Sequence, residues 1–222
     1  MSMKPSKSYS IKVCLRGSPL SRAQLKEVQE LLPNIELIPH FVTTIGDKDK
    51  KTSLRELEKT NFFTKEIDEA LLQGLCGASL HSAKDLPEPL ADGLQIAAIT
   101  EGVDSSDSLV LRKGETLQKG FVIATSSKRR QEVVDVFFPG LQFADLRGTI
   151  GERLQKLEEG AADGVVIAEA ALIRLGLTHL NRIKMPGKTT PLQGKLALVI
   201  RKGDLKMLNL FASLDENTLS RT

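Results

Sequence analysis

The sequence predicts an α/β protein with mostly parallel sheets, and three observations predict it. Short apolar runs with strand alternation are separated by segments whose apolar residues recur at helical spacing. Strand-like and helix-like segments alternate along nearly the whole chain, the order expected of parallel sheets with flanking helices. The 222 residues are 41% hydrophobic, enough for one large domain or two small ones. With 4% aromatic residues and no Trp, the core must be aliphatic.

Residues 11–15 alternate and stop at Arg16-Gly17. Ser18 then offers an N-cap and Pro19 suits the first helical position. Leu20, Ala23, Val28, Leu31 and Leu32 follow at helical spacing up to Pro33. Residues 35–42 read as a second strand. The polar stretch 43–59 has little periodicity and reads as a mobile loop. Phe63, Ile67, Ala70 and Leu71 mark a helix, and 78–80 a short strand running into His81-Ser82-Ala83-Lys84-Asp85-Leu86-Pro87. Residues 94–99, 108–111 and 121–124 are strands, the last leading into Thr125-Ser126-Ser127-Lys128-Arg129-Arg130, where a helix starts. Residues 141–146 form a strand ending at Arg147-Gly148. Thr149 with Glu152 is a capping-box signature, backed by an apolar stripe of Ile150, Leu154 and Leu157. Residues 164–168 read as a buried strand, 170–175 as a short helix stopped by Gly176, and 196–200 as a last strand.

Composition removes several function classes. No apolar run is long enough to span a bilayer, and the N-terminus lacks the apolar stretch of a secretory signal. Cys14 and Cys76 lack metal-ligand spacing and read as reduced core residues. His40, His81 and His179 stand far apart, so a metal site is not expected. A net charge of +3 without aromatic residues among the basic ones does not fit a nucleic-acid partner. The expectation is a soluble, cytoplasmic, monomeric protein with no nucleic-acid or membrane partner.

The informative pattern is where polar residues fall. Arg16 and Ser18, Lys84 and Asp85, Ser126 to Arg130, and Arg147 to Arg153 all follow the C-terminal end of a predicted strand, and most open a helix. Ligands of open α/β sheets bind at that end, and helix N-termini attract anions. Arginines there add forked donors for carboxylate or phosphate, so the implied ligand is small and polyanionic. Each feature also has a plainer reading. Arg129 and Arg130 could be solvated, although the dipole disfavours cations in a first helical turn. Lys84-Asp85 could be a surface ion pair, or Asp85 could do acid–base or cation-stabilising work. Arg22 reads as surface, His81 as structural, and 47–51 as a solvated loop. Gly17 and Gly148 stand alone, so no nucleotide-type phosphate loop is present.

At these residues the sequence resembles the porphobilinogen deaminases, or hydroxymethylbilane synthases. The matches are Arg16-Gly17-Ser18-Pro19-Leu20 with Gln24; Gly46-Asp47; His81 to Pro87; Thr125 to Gln131; Leu146-Arg147-Gly148 with Arg153-Leu154; Ile167 to Leu177; and Gln193-Gly194. They occur in the family's order across nearly the whole chain. The resemblance implies an α/β fold of two domains like type 2 periplasmic binding proteins, with mixed, mostly parallel sheets and an interdomain cleft. Domain 1 would hold 1–100 plus 195–222 and domain 2 would hold 101–194, linked by two hinge strands. It implies head-to-tail condensation of four porphobilinogen molecules, with release of ammonia, into hydroxymethylbilane for haem biosynthesis. Asp85 would be the catalytic carboxylate, buried beside the pyrrole N–H. Arg16, Ser18, Lys84, Ser127, Arg129, Arg130, Arg147, Arg153 and Arg174 would hold acetate and propionate groups, with Gln24 supporting the first helix.

The resemblance also implies a dipyrromethane cofactor, which the family binds by a thioether to a Cys in a third, C-terminal domain. That domain is expected to be absent, and neither Cys14 nor Cys76 matches the tethering Cys. The family's Gly-rich segment with its Lys reads Glu58-Lys59-Thr60-Asn61-Phe62-Phe63, which makes Lys59 the candidate loop lysine. The alternative is a non-catalytic tetrapyrrole-binding protein or an inactive fragment of the deaminase.

Overall fold

The computed structural model describes residues 9–49 and 61–219. They form two compact units, one of residues 9–48, 61–101 and 195–219, the other of residues 49 and 102–194.

The first unit is built on β1 (Tyr9–Arg16), α1 (Pro19–Leu31), β2 (Ile35–Val42), α2 (Ile45–Lys48), α3 (Lys65–Leu72), β3 (Ala78–Ser82) and β4 (Leu94–Ile99). The second unit adds β5 (Asp107–Leu111), β6 (Val122–Ala124), α4 (Lys128–Phe137), β7 (Gln142–Ala144), α5 (Ile150–Glu158), β8 (Gly164–Ala168), α6 (Glu169–Arg174) and β9 (Arg182–Met185). The chain then returns to the first unit as β10 (Leu196–Arg201), α7 (Leu205–Phe211) and α8 (Glu216–Leu219).

Each unit holds one five-stranded sheet, ordered β2-β1-β3-β10-β4 in the first and β7-β6-β8-β5-β9 in the second. In each, four strands share a direction and one is reversed: β10 runs against β3 and β4, and β5 runs against β8 and β9. The sheets are therefore mixed and mostly parallel, as the alternating pattern predicts. The reversed strands are the first the chain lays down after passing between units. Their burial explains their composition. Leu196 to Ile200 and all of β5 and β8 are buried, so β8, Leu196 to Ile200 and Leu109 to Leu111 of β5 read as continuous apolar runs rather than alternations. Each fully buried Leu or Ile there contributes about 1.5–3 kcal/mol. Phe211 from α7 and Val28 from α1 close the first core; Val134 from α4 and Met185 from β9 help close the second.

Local signals place the helices. Ser18 caps α1, accepting from the Ser21 N–H at 3.2 Å, with Pro19 at its start. Thr149 and Glu152 form a complete capping box on α5, with Thr149 N–H donating to Glu152 Oε2 at 2.7 Å. The structure also adds to the sequence reading. The stretch 43–59 is not all loop, because α2 begins after only two intervening residues, Thr43 and Thr44; Lys59 lies outside the described residues. Strand β9 and helix α7 carry too few alternating or periodic positions to be read from pattern alone.

The reading of Cys14 and Cys76 as reduced thiols is corrected: they form a disulfide, with Cα atoms 5.8 Å apart. Parallel pairing of β1 with β3 sets Cys14 opposite Ser79. The loop entering β3 thereby brings Cys76 within bridging reach.

Gly194 sits at φ +90°, and a Cβ there would lie 2.5 Å from the Asp104 carbonyl oxygen. Gly194→Ala is expected to destabilise the protein by about 2 kcal/mol or more, read as a lower urea midpoint by circular dichroism. An unchanged midpoint would contradict this backbone constraint.

Candidate functional site

In the first unit the site residues stand where β1 and β3 end. Arg16 closes β1, and its Nε donates to Asp47 Oδ1 at 3.0 Å while Nη2 makes a second contact to the same oxygen. Its guanidinium lies over the Phe63 ring, 4.4 Å from the centroid. That ring packs against α2 because position 46 is glycine; a Cβ there would overlap it. Asp47 Oδ2 accepts from the Thr44 N–H at 3.1 Å and the Thr44 hydroxyl at 2.9 Å. Burial pushes the Asp47 carboxyl up, but the hydrogen bonds from Arg16 and Thr44 outweigh it and hold the group below its usual range. Asp47 is thus an anchor that fixes the Arg16 fork, which corrects its reading as part of a solvated loop.

Gln24 is buried in α1 and donates to Ser82 Oγ at 2.8 Å, tying that helix to the end of β3. His81 is buried and pairs with Ser79 Oγ at 2.9 Å. Burial, with the nearby Arg16 charge, lowers its pKa to about 4, so it stays neutral at physiological pH and plays the structural part expected. Lys84 and Asp85 follow in the 3-10 turn Ala83–Asp85. Asp85 is exposed, in contrast to the buried carboxylate the resemblance implies. The turn buries Ala83 and sends its third residue outward.

The second unit carries a denser set. Ser127 caps α4, so Arg129 and Arg130 fall in its first turn. What stabilises two cations at that disfavoured end is Asp107, the first residue of β5, whose side chain is only 3% exposed. Arg129 Nη2 donates to its Oδ2 at 2.6 Å; Arg130 donates to Oδ1 from Nε at 3.0 Å and from Nη2 at 2.6 Å. Gln193 Nε2 adds a further bond to Oδ1 at 2.9 Å. Burial raises the Asp107 pKa, but the two guanidinium groups win and hold it low. Sequence reasoning missed Asp107. The signal was a lone carboxylate opening a fully buried strand that continues as Ser108 and the apolar run Leu109 to Leu111, in a chain with two misplaced cations.

Around this anchor the charge is positive. Arg147 Nη2 donates to the Asp49 carbonyl at 3.1 Å. Among the described residues nothing accepts a hydrogen bond from the buried Nε of Arg153 on α5, nor from that of Arg129. Burial together with the Arg130 and Arg147 charges depresses the Arg153 pKa to about 10. It remains protonated at neutral pH, held among like charges. Arg130 and Arg147 thus lie close enough to Arg153 for their charges to act on it, and Arg129 shares Asp107 with Arg130. Arg174 Nη2 donates to the Gly194 carbonyl at 2.8 Å. Ser18 and Ser127 use an oxygen lone pair as helix caps, which leaves the Ser127 O–H as a donor, while the Ser18 hydroxyl also pairs with the Ser21 hydroxyl at 3.0 Å. Among the described residues no group of His, Cys, Asp and Glu is arranged to hold a metal ion, and no helix is long and apolar enough to cross a membrane.

Two mixed five-stranded sheets with flanking helices are the architecture of the solute-binding proteins. An ancestral cationic amino acid solute binding protein superposes with a TM-score of 0.58 over 96% of this chain and 90% of its own, at 12% identity. That likeness defines the fold alone. Residues 11–209 match the family "Porphobilinogen deaminase, dipyromethane cofactor binding domain". A porphobilinogen deaminase of Streptococcus sanguinis is 39% identical, over 94% of this chain and 73% of its own length. A probable porphobilinogen deaminase of Chlamydia pneumoniae is 36% identical, over 92% of this chain and 89% of its own. The chain belongs to the porphobilinogen deaminase family.

Proposed function

We propose that this chain is a transferase of tetrapyrrole biosynthesis. It joins four porphobilinogen molecules head to tail, each losing its aminomethyl nitrogen as ammonia, and water adds to the terminal methylene to give hydroxymethylbilane. The observation that supports this most is Arg153: a protonated guanidinium whose buried Nε has no acceptor among the described residues, pressed by the Arg130 and Arg147 charges. Such a group raises the energy of the ligand-free protein and is relieved by anions.

The residues fit a dipyrromethane, whose acetate and propionate groups are the anions an arginine cluster suits. Arg129, Arg130, Arg147 and Arg153, with the Ser127 hydroxyl, would hold those groups, and Arg16, Ser18 and Lys84 would take carboxylates at the ends of β1 and β3. When bound, the dipyrromethane supplies the pyrrole carbon from which the chain grows. Asp85 would act on the substrate. As the C–N bond breaks and ammonia leaves, the pyrrole becomes an azafulvene-type cation, and a carboxylate near its N–H stabilises that charge and can accept a proton.

A second reading, a non-catalytic tetrapyrrole-binding protein, is favoured by one observation. Cys14 and Cys76 are bonded to each other, so neither presents a thiol for a thioether.

Uroporphyrin, a polycarboxylated tetrapyrrole, tests the shared binding site. It is expected to raise the unfolding midpoint, by the equivalent of about 2.7 kcal/mol at a hundredfold excess over Kd, with the gain shrinking as salt rises. Arg153→Met should weaken uroporphyrin binding by about tenfold while leaving the ligand-free midpoint unchanged or higher. Salt-independent binding, or full affinity in Arg153→Met, would contradict the assignment.

A further inference from the structure

At the opposite end of β1 from Arg16 lies a pocket of about 430 Å³ that the proposed reaction does not use. Cys76 lines it, and Lys12, Lys206 and Arg201 stand around it with Asp204 as the acidic member. Lys12 is held beside the cysteine loop through its carbonyl, which accepts from the Gly77 N–H at 3.0 Å. Lys206 is stacked over the Tyr9 ring, 4.4 Å from the centroid. Arg201 Nη1 donates to the Cys76 and Leu71 carbonyls, each at 2.8 Å, and so fixes the loop that carries Cys76.

Both cysteines are buried, Cys14 at 0% and Cys76 at 3% exposure, in one apolar cluster with Ile67 and Ala70 against Val42, but of the two it is Cys76 that also lines the pocket. A nucleophile entering the pocket therefore meets Cys76. The three cations against one carboxylate favour a negatively charged nucleophile and raise its local concentration.

We propose that this pocket is a thiol–disulfide exchange site for a small anionic thiol of the glutathione class. The incoming thiolate attacks Cys76 Sγ. The Cys14–Cys76 bond breaks, and its electron pair leaves on Cys14, which takes up a proton. The product is a mixed disulfide on Cys76. A second thiolate attacks the glutathione sulfur of that mixed disulfide, releasing Cys76 as a thiol and forming oxidised glutathione. Two thiols are oxidised and one disulfide is reduced. Because the bridge joins positions 62 residues apart, its opening removes a constraint on the unfolded chain and loosens the hold of the β3 loop on β1, the strand that ends in Arg16.

Three measurements on the full chain test this, and none depends on porphobilinogen turnover. Thiol titration in denaturant, on protein purified without reductant, should find no free thiol. Finding two would overturn the proposal. Native protein treated with glutathione should gain a mixed disulfide on Cys76, located by peptide mass spectrometry, and its unfolding midpoint should fall by about 5–10 °C after full reduction. Adducts on Cys14 instead, or reduction only after unfolding, would overturn it. Lys12→Glu with Lys206→Glu should slow reduction by glutathione about tenfold while leaving reduction by neutral 2-mercaptoethanol little changed. An equal effect on both thiols would reject the anion selectivity. Single variants check the geometry independently of the bridge. Folded Cys14→Ser should react with oxidised glutathione at Cys76, and folded Cys76→Ser should be inert at Cys14; the reverse order would contradict the assigned entry path.

Discussion

Asp107→Ala is expected to lower the stability of the second unit by about 3–5 kcal/mol, the usual cost of removing one partner from a buried charge cluster. Asp107 receives both Arg129 and Arg130 on a carboxylate that is almost fully enclosed. Without it, two guanidinium groups remain at the positive end of α4, near an already crowded Arg153. Asp107→Asn keeps the acceptor oxygen and the shape but loses the charge, so it should fall between Ala and the wild type. The pH dependence follows from the depressed carboxyl pKa. The unfolded chain protonates Asp107 near the usual value of about 3.9, the folded chain only below it. The stabilisation is therefore full above that value and is lost as pH falls through the lower folded value. Urea midpoints followed by circular dichroism should show wild type losing this increment on acidification and Asp107→Asn lacking it. Equal midpoints for wild type and Asp107→Ala at neutral pH would refute the anchoring role.

Asp85→Ala is expected to reduce condensation by about a thousandfold or more while leaving the fold and uroporphyrin binding intact. The separation of effects rests on exposure. Asp85 lies at the outer end of a 3-10 turn whose first residue, Ala83, makes the buried contact and is pinned through its N–H to the Lys195 carbonyl at 3.0 Å. An exposed substitution of this kind changes stability by no more than about 0.5 kcal/mol. Anion affinity belongs to the arginines, so it should survive. Turnover within a few-fold of wild type would remove Asp85 from the chemistry. Loss of uroporphyrin binding in the same variant would mean that it shapes the binding site instead.

Much of the fold was legible because local rules and burial agree. β8 and the core of β10 are unbroken apolar runs flanked by turn residues, and both are inner strands of their sheets. Ser18-Pro19 and Thr149 with Glu152 announce helix starts that hydrogen bonds then satisfy. What was not legible depends on pairing between distant segments. Cys14 and Cys76 meet only because β1 pairs with β3, and nothing within either neighbourhood of the chain marks that register. Asp107 reaches Arg130 because β5 enters the sheet beside β8, whose Val166 carbonyl also accepts from Arg130 Nη1 at 3.4 Å. The arginines were singled out by their placement after strands. Asp47 entered only as part of the Gly46-Asp47 match and Asp107 not at all, since a single acidic residue beside a strand has no periodic signature; their ion pairs with Arg16 and with Arg129 and Arg130 come from the structure. The outward position of Asp85 follows from the turn geometry, which the motif alone does not encode.

The central claim is that this chain turns porphobilinogen into a linear tetrapyrrole using Asp85 and the arginine cluster. Its most direct test is incubation of the purified 222-residue chain with porphobilinogen. Ammonia release is followed together with uroporphyrin absorbance after acid oxidation. The account predicts that both signals appear in wild type and that both are lost in Asp85→Ala. Folded wild-type protein that binds uroporphyrin but releases no ammonia would contradict it and favour the non-catalytic binding protein.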